Sequence, residues 1–318
     1  MIAHDEMITL WGSCFADELH SYLYNELCHV SASPFGIAYN PLSMAEGLSR
    51  ALSGERMREE ELFCLDGLWH SSMHHGKYSG RDKAETLERM NAALEAAQKE
   101  LLRTRLFVFT FGTAYLFEEK KTGQVVNNCH KRPSWDFVRR RASVSEITER
   151  WLPPVERLLS VVPDSEILFT VSPIPHYRDG SHGNRVSKSV LHLAVDEILT
   201  AFPGRRVHYF PAYEIMQDEL RDYRFYESDF AHPTRLAVDY IMERFSEHYL
   251  APWEDEEEWH KVRALLGHRP LTEVPRKLRD HYYGLSVRLE ALRQRCPHPL
   301  LDEAIKETER HYDAIQPD

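Results

Sequence analysis

The chain has 318 residues, enough for one large domain or two of ordinary size. Hydrophobic residues make up 42% and charged residues 28%, a balance that excludes a disordered chain. A formal net charge of −11 argues against binding nucleic acid, which needs a basic face. The one short basic cluster, Arg139-Arg140-Arg141, reads as solvated surface.

Met1-Ile2-Ala3-His4-Asp5-Glu6-Met7 lacks the basic end and apolar core of a signal peptide. No apolar run approaches the roughly 18 residues that a membrane span needs. Five scattered cysteines with no Cys-x-x-Cys pair fit reduced thiols. The expectation is a cytoplasmic protein with no membrane partner.

In chain order, the apolar run Met7-Ile8-Thr9-Leu10-Trp11 predicts a buried strand at residues 8–11. Gly12-Ser13-Cys14-Phe15-Ala16 then opens an amphipathic helix over 15–27. Asn40-Pro41 reads as an N-cap followed by proline at the first helical position, starting a helix at 42–52. Residues 53–82 are polar and rich in His and Gly, and form an insertion or lid candidate. Leu87, Met90, Leu94, Ala97 and Leu101 set a helical period over 83–103. A strand is predicted at 106–110, and a helix at 144–159 that Pro153-Pro154 should kink or break. A strand at 166–171, a helix at 187–202, a strand at 207–210 and a helix at 235–250 follow.

Strands alternating with helices predict a parallel sheet covered on both faces, a three-layer α/β/α sandwich over residues 1–250. Beyond it, charged helices at 254–266, 275–294 and 299–312 form a C-terminal helical extension over 251–318, suited to packing or to a homo-oligomer contact. The acidic run Glu254-Asp255-Glu256-Glu257-Glu258 suits the first helix's N-terminus.

Two segments carry chemistry. Ser13 stands at a strand-to-helix turn, where a hydroxyl at the sheet's carboxyl edge meets the first helical N–H groups. Serine is also an ordinary N-cap. Ser228-Asp229-Phe230-Ala231-His232-Pro233-Thr234 precedes the 235–250 helix and sets a carboxylate three positions from an imidazole. That spacing suits an acid fixing the tautomer of a general base, and it equally suits a helix cap. The pair of motifs, in this order within one α/β domain, favours a Ser13–His232–Asp229 relay. Cys14, one step into the helix, reads as a small apolar filler.

The pentapeptide at 12–16 resembles the signature of the GSCFA domain family, a branch of the SGNH (GDSL-like) hydrolases. Further resemblance runs through Ser33-Pro34-Phe35-Gly36-Ile37-Ala38-Tyr39-Asn40-Pro41, Trp69-His70, Thr110-Phe111-Gly112-Thr113, Asn127-Asn128-Cys129-His130-Lys131 and Val171-Ser172-Pro173-Ile174-Pro175-His176. The resemblance covers roughly residues 7–249. It implies a serine esterase of SGNH type in which Ser13 is the nucleophile and Asp229 and His232 complete the triad.

The resemblance also implies an oxyanion hole built from the Ser13 amide, a glycine N–H matched by Gly36, and an asparagine from a Gly-x-Asn motif. This chain reads Gly112-Thr113-Ala114 there, so the asparagine is absent. Thr113, Asn127 and Asn128 are the substitutes. Trp69, His70, His130 and His176 are candidates for the pocket wall.

Neither a zinc-type His or Cys spacing nor a Gly-x-Gly-x-x-Gly turn or Walker loop is present, so no metal and no nucleotide cofactor is expected. The expected substrate is a small-molecule or carbohydrate ester with a small acyl group such as acetyl. An O-acyltransferase with the same triad, and a binding protein that keeps the fold without catalysis, are the alternatives.

Overall fold

Among the residues that the computed structural model describes, 1–204, 206–253, 256–265 and 274–315, ten strands arrange into three sheets. They are β1 (Met7–Gly12), β2 (Val30–Ala32), β3 (Leu62–Leu65), β4 (Leu68–Ser71), β5 (Thr104–Phe111), β6 (Tyr115–Glu119), β7 (Val125–Val126), β8 (Phe137–Arg141), β9 (Glu166–Val171) and β10 (Val207–Phe210). The helices are α1 (Cys14–Asn25), α2 (Pro41–Ser53), α3 (Lys83–Leu101), α4 (Val144–Val161), α5 (Gly180–Ala201), the single turn α6 (Ala212–Glu214), α7 (Arg235–Tyr249), α8 (Glu256–Leu265), α9 (Pro275–Arg295) and α10 (Pro299–Asp313). Residues 254, 255 and 266 of the helix expected at 254–266 lie outside the described residues.

The central sheet is all parallel, in the order β10-β9-β5-β1-β2. This is the doubly wound order in which the chain starts at β1, moves to one edge, and returns to build the other half. The direction reverses between β1 and β5, and ligands bind in the crevice beyond the carboxyl ends of strands at such a reversal. Register fixes that crevice. Gly12 pairs with Thr110, and Thr110 with Thr170, so Ser13, Gly112 and Ser172 leave the sheet on the same edge.

Burial on both faces explains why these strands read as continuous apolar runs. Phe107, Phe109, Phe111, Phe169 and Val171 join residues of α2, α4 and α5 in one large core cluster. The alternating residues Leu106, Val108 and Leu168 are equally buried, so helices cover both faces and the fold is the expected α/β/α sandwich. Trp151 of α4 is completely buried, with edge contacts to Phe109 (4.9 Å) and Phe169 (5.2 Å). Its indole N–H donates to Pro41 O at 2.9 Å.

α4 runs unbroken through Pro153 and Pro154, against the expected break. The carbonyls that these prolines leave without helical donors belong to Glu149 and Arg150, both exposed, where water can serve them.

The chain divides into two compact units. One comprises Met7–Ser21 and Val30–Phe245 and holds all three sheets. The other comprises Met1–Glu6, Tyr22–His29 and Ser246–Asp318. Its core joins Leu27 and Trp259 to Leu285, Leu289 and Leu292 of α9 and to Leu301 and Ile305 of α10. Ile2 N donates to Tyr249 O (2.6 Å) and Ala251 N to Ile2 O (2.8 Å), which fastens the N-terminus into that unit.

Residues 53–82 carry more regular structure than a polar loop. β3 and β4 form a hairpin around Asp66-Gly67, both with positive φ (51° and 74°), the turn geometry that matches strand twist. Arg50 reaches both Glu61 oxygens, Nη1 to Oε1 at 2.6 Å and Nη2 to Oε2 at 2.8 Å. His74 is 1% exposed, its ring 4.9 Å from Phe35. Burial, reinforced by the Arg50 and His130 charges, pushes its pKa down to about 3.

Two stability results are expected. Trp151→Ala should lose about 3–5 kcal/mol, as large-to-small core changes do, while Trp151→Phe should lose clearly less; urea unfolding of the pair measures this. For His74, the folded pKa lies below the unfolded value, so the unfolded chain binds more protons below about pH 6.5. Stability is therefore full above that pH and falls on acidification, by about 2 kcal/mol at pH 5 from this group. Thermal midpoints at pH 7 and pH 5 should differ more in wild type than in His74→Gln.

Candidate functional site

The site begins where β1 ends. Gly12 has φ +156°, and a β-carbon there would lie 2.5 Å from Thr110 O and 2.6 Å from Thr110 Cβ. Only glycine lets β1 run this close to β5 before the chain turns. Ser13 follows, its carbonyl accepting Ala16 N–H at 2.8 Å in the first turn of α1. The residue is 1% exposed and its Oγ has no hydrogen-bond partner. The hydroxyl therefore caps nothing. A buried hydroxyl left unpaired costs about 1–3 kcal/mol, and such groups call for a functional explanation.

Gly112, at the end of β5, forms the floor beside it. A β-carbon on Gly112 would meet Tyr39 O at 2.9 Å, Ser13 Cβ at 3.2 Å and His176 Nε2 at 3.4 Å. Serine and imidazole thus converge on one glycine. Gly112 N and Thr113 N both donate to Tyr39 O (3.0 and 2.9 Å), clamping the loop after β2 to the end of β5. The His176 backbone N–H donates to Asn184 Oδ1 (2.9 Å), and its ring makes an edge contact with the Tyr39 ring (5.5 Å). Burial, aided by the Lys188 charge, pushes the His176 pKa down to about 4, so the imidazole is neutral near pH 7.

Lys188 is the residue that sequence reading missed. It is 1% exposed, and its Nζ donates to Gly112 O and Ser172 O, both at 2.7 Å. The ammonium joins the carboxyl ends of β5 and β9. Burial pushes its pKa down to about 7. One signal was present: Lys188 shares the helical stripe of α5 with Leu191, Val195 and Ile198, all buried.

Asp229 and His232 form the expected pair, with Asp229 Oδ2 2.6 Å from His232 Nδ1. Asp229 Oδ1 accepts the backbone N–H of Ala231 (2.9 Å) and of His232 (3.0 Å). These bonds, the His232 side chain's first, hold the Asp229 pKa at about 2. With Nδ1 facing the carboxylate, Nε2 is the nitrogen left to accept a proton. Both side chains are about half exposed, 50% and 55%. The hydrogen bond expected between Ser13 Oγ and His232 Nε2 is not formed. Tyr177 Oη donates to Phe230 O at 3.0 Å, tying the turn after His176 to the loop that carries the pair.

Of the expected oxyanion donors, the Gly36 amide and the Asn127 side-chain amide are engaged elsewhere in this structure, and the Ser13 amide stands beside its own hydroxyl. Gly36 N–H donates to Ser33 O (3.0 Å), in a turn whose φ of +78° suits glycine. Thr113 Oγ1 shares a hydrogen bond with Ser187 Oγ (3.0 Å). Asn127 Nδ2 donates to Ile37 O (2.9 Å) and Met73 O (3.2 Å), pinning the loop after β2, and Asn128 Oδ1 accepts His130 N–H (2.8 Å).

Trp69, His70 and His130 lie with the β3–β4 hairpin. His70 Nδ1 meets Ser79 Oγ at 2.7 Å, and its ring is 4.4 Å from His130. His130 Nε2 contacts Ser71 O at 2.8 Å. Lys83 Nζ sits 5.2 Å from the Trp69 ring centroid. His176 is the one member of the four beside Ser13's floor. Among the described residues, no three His, Cys, Asp or Glu side chains form a group able to hold a metal ion.

Arg139 and Arg140, expected as bare surface, are paired: Arg139 with Asp179, and Arg140 with Glu118 (2.9 Å) and Glu146 (2.6 Å).

No curated protein sequence matches the chain. Among solved structures, an acetyl xylan esterase from the rumen bacterium Butyrivibrio proteoclasticus is similar at 10% identity and a TM-score of 0.41. The match covers 81% of this chain and 66% of that one, so the chain spans just under two thirds of the esterase's length. The profile of the GSCFA family matches residues 7–245, from the start of β1 into α7, taking in Ser13, Gly112, Lys188, Asp229 and His232. The chain belongs to the GSCFA family.

Proposed function

We propose that the protein is a serine ester hydrolase that removes a small acyl group, such as acetyl, from a carbohydrate or other polar alcohol. The observation that carries this reading is the Ser13 hydroxyl, buried and unpartnered at the sheet's reversal point. Ser13 Oγ attacks the ester carbonyl while His232 Nε2 takes the hydroxyl proton and Asp229 stabilises the imidazolium. The alkoxide of the substrate leaves with that proton as the free alcohol. Water then attacks the acyl-enzyme as His232 takes its proton, and His232 returns that proton to the Ser13 oxygen as the C–O bond breaks, releasing the acid and restoring the Ser13 hydroxyl and the neutral imidazole.

In this reading the Ser13–His232 hydrogen bond, not formed here, forms when substrate is bound. Catalytic hydrogen bonds commonly tighten in the Michaelis complex. His176, neutral and beside Ser13, supplies a hydrogen-bonding group at the reacting carbonyl in place of the missing asparagine. All five cysteines are free thiols, which supports a cytoplasmic setting. Among the described residues no helix is long and apolar enough to cross a membrane.

A fluorophosphonate probe should label the protein once, and Ser13→Ala should abolish labelling. His232→Ala should lower turnover of 4-nitrophenyl acetate by about 1,000-fold or more, as loss of a triad member does. His176→Ala should lower it by roughly 100-fold, the cost of an oxyanion donor. Labelling that survives in Ser13→Ala would refute the nucleophile. If His176→Ala instead proves as damaging as His232→Ala is harmless, His176 is the base.

Turnover should also fall on acidification, because a histidine base works only when neutral. EDTA should leave it unchanged. Activity lost to EDTA and regained with zinc would overturn the mechanism.

A further inference from the structure

A cavity of about 800 Å³ is lined by residues of the two segments that carry His176 and His232. Pro175, which precedes His176, and Phe230, which lies between Asp229 and His232, both line it. Its walls therefore include the residue next to His176 and the residue next to Asp229, two positions before His232. The space is several times what an acetyl group fills and matches ordinary small-ligand sites.

Aromatic rings make up much of the lining: Tyr177, Tyr213, Tyr223, Tyr226 and Phe230. Tyr223 and Phe230 are 79% and 57% exposed and meet edge to face at 5.8 Å. Open aromatic faces in a polar-rimmed cavity suit the flat apolar side of a sugar ring.

The charge on the wall is one-sided. Arg185 is the single charged residue of the lining, in a chain whose net charge is −11. Its Nη1 donates to Tyr213 Oη at 2.6 Å, which holds the guanidinium in place without neutralising it. No carboxylate pairs with it among the described residues. Asn184 adds donors, because its Oδ1 is already taken by His176 N–H. A fixed guanidinium presents parallel N–H groups that fit a carboxylate in bidentate fashion.

We propose that this cavity binds the alcohol part of the ester as a sugar ring carrying a carboxylate, with Arg185 recognising the anion and Tyr223 and Phe230 the ring. The proposal rests on the ester-hydrolase reading only for its name as the leaving-alcohol subsite. The binding itself is independent of Ser13 chemistry.

NMR titration of the full chain with methyl glucuronoside and methyl glucoside tests it, since neither probe is an ester. Wild type should favour the glucuronoside about tenfold, the low end for a charge-assisted hydrogen bond. Arg185→Gln should level the two affinities, and Arg185→Lys should keep part of the preference. Tyr223→Ala should weaken both sugars alike. Equal affinities in wild type, or a preference that persists in Arg185→Gln, would overturn the assignment. Fluorophosphonate labelling run in parallel reports on the hydrolase reading separately. Anion preference in a protein that takes no label would keep the cavity assignment and remove the esterase.

Discussion

The site depends on how closely β1 and β5 approach at their carboxyl ends. Thr110 leaves no room for a β-carbon at position 12, so the chain passes through Gly12 and turns at once. That turn delivers Ser13 to the crevice where the sheet reverses direction, with Gly112 directly beside it. Lys188 then binds the next strand end into the arrangement. Its ammonium holds Gly112 O and Ser172 O, two carbonyls that leave the sheet side by side. A buried charge is costly unless hydrogen bonds satisfy it. Two short bonds to backbone carbonyls offset part of that cost and fix the floor on which Ser13 and His176 meet.

Solvation divides the groups of the site. Ser13 and Lys188 are buried, whereas the Asp229–His232 pair is half in water. The pair is nevertheless rigid internally, because three bonds fix the carboxylate. The bond from Tyr177 Oη to Phe230 O couples this loop to the turn bearing His176. The same bond joins two walls of the aromatic cavity, since Tyr177 and Phe230 both line it.

Much of this was legible in the residues, for reasons that differ by element. β1, β5 and β9 are buried on both faces, so each is an apolar run with no competing period, and edge strand β10 still shows Val207, Tyr209 and Phe210. β2 is three residues, Val30-Ser31-Ala32, and carries no such signal. The β3–β4 hairpin had one, Asp66-Gly67 between apolar pairs, but the surrounding polar stretch read as loop. Ser13, Asp229 and His232 were visible as motifs because side-chain chemistry is what a motif records. The roles of Gly36, Thr113, Asn127 and Asn128 were not, because their bonds depend on which backbone groups happen to face them. Lys188 was hidden for a similar reason: its partners are main-chain carbonyls from two different strands.

The uneven lengths of the central strands have a further consequence. β5 in the middle has eight residues, while the edge strands β10 and β2 have four and three. Unpaired N–H and C=O groups along a sheet edge are templates for pairing with another chain. Here each outer edge offers only a few of them. A sheet this apolar would otherwise be an aggregation hazard, and its shortened borders leave a neighbouring molecule too little backbone to extend it.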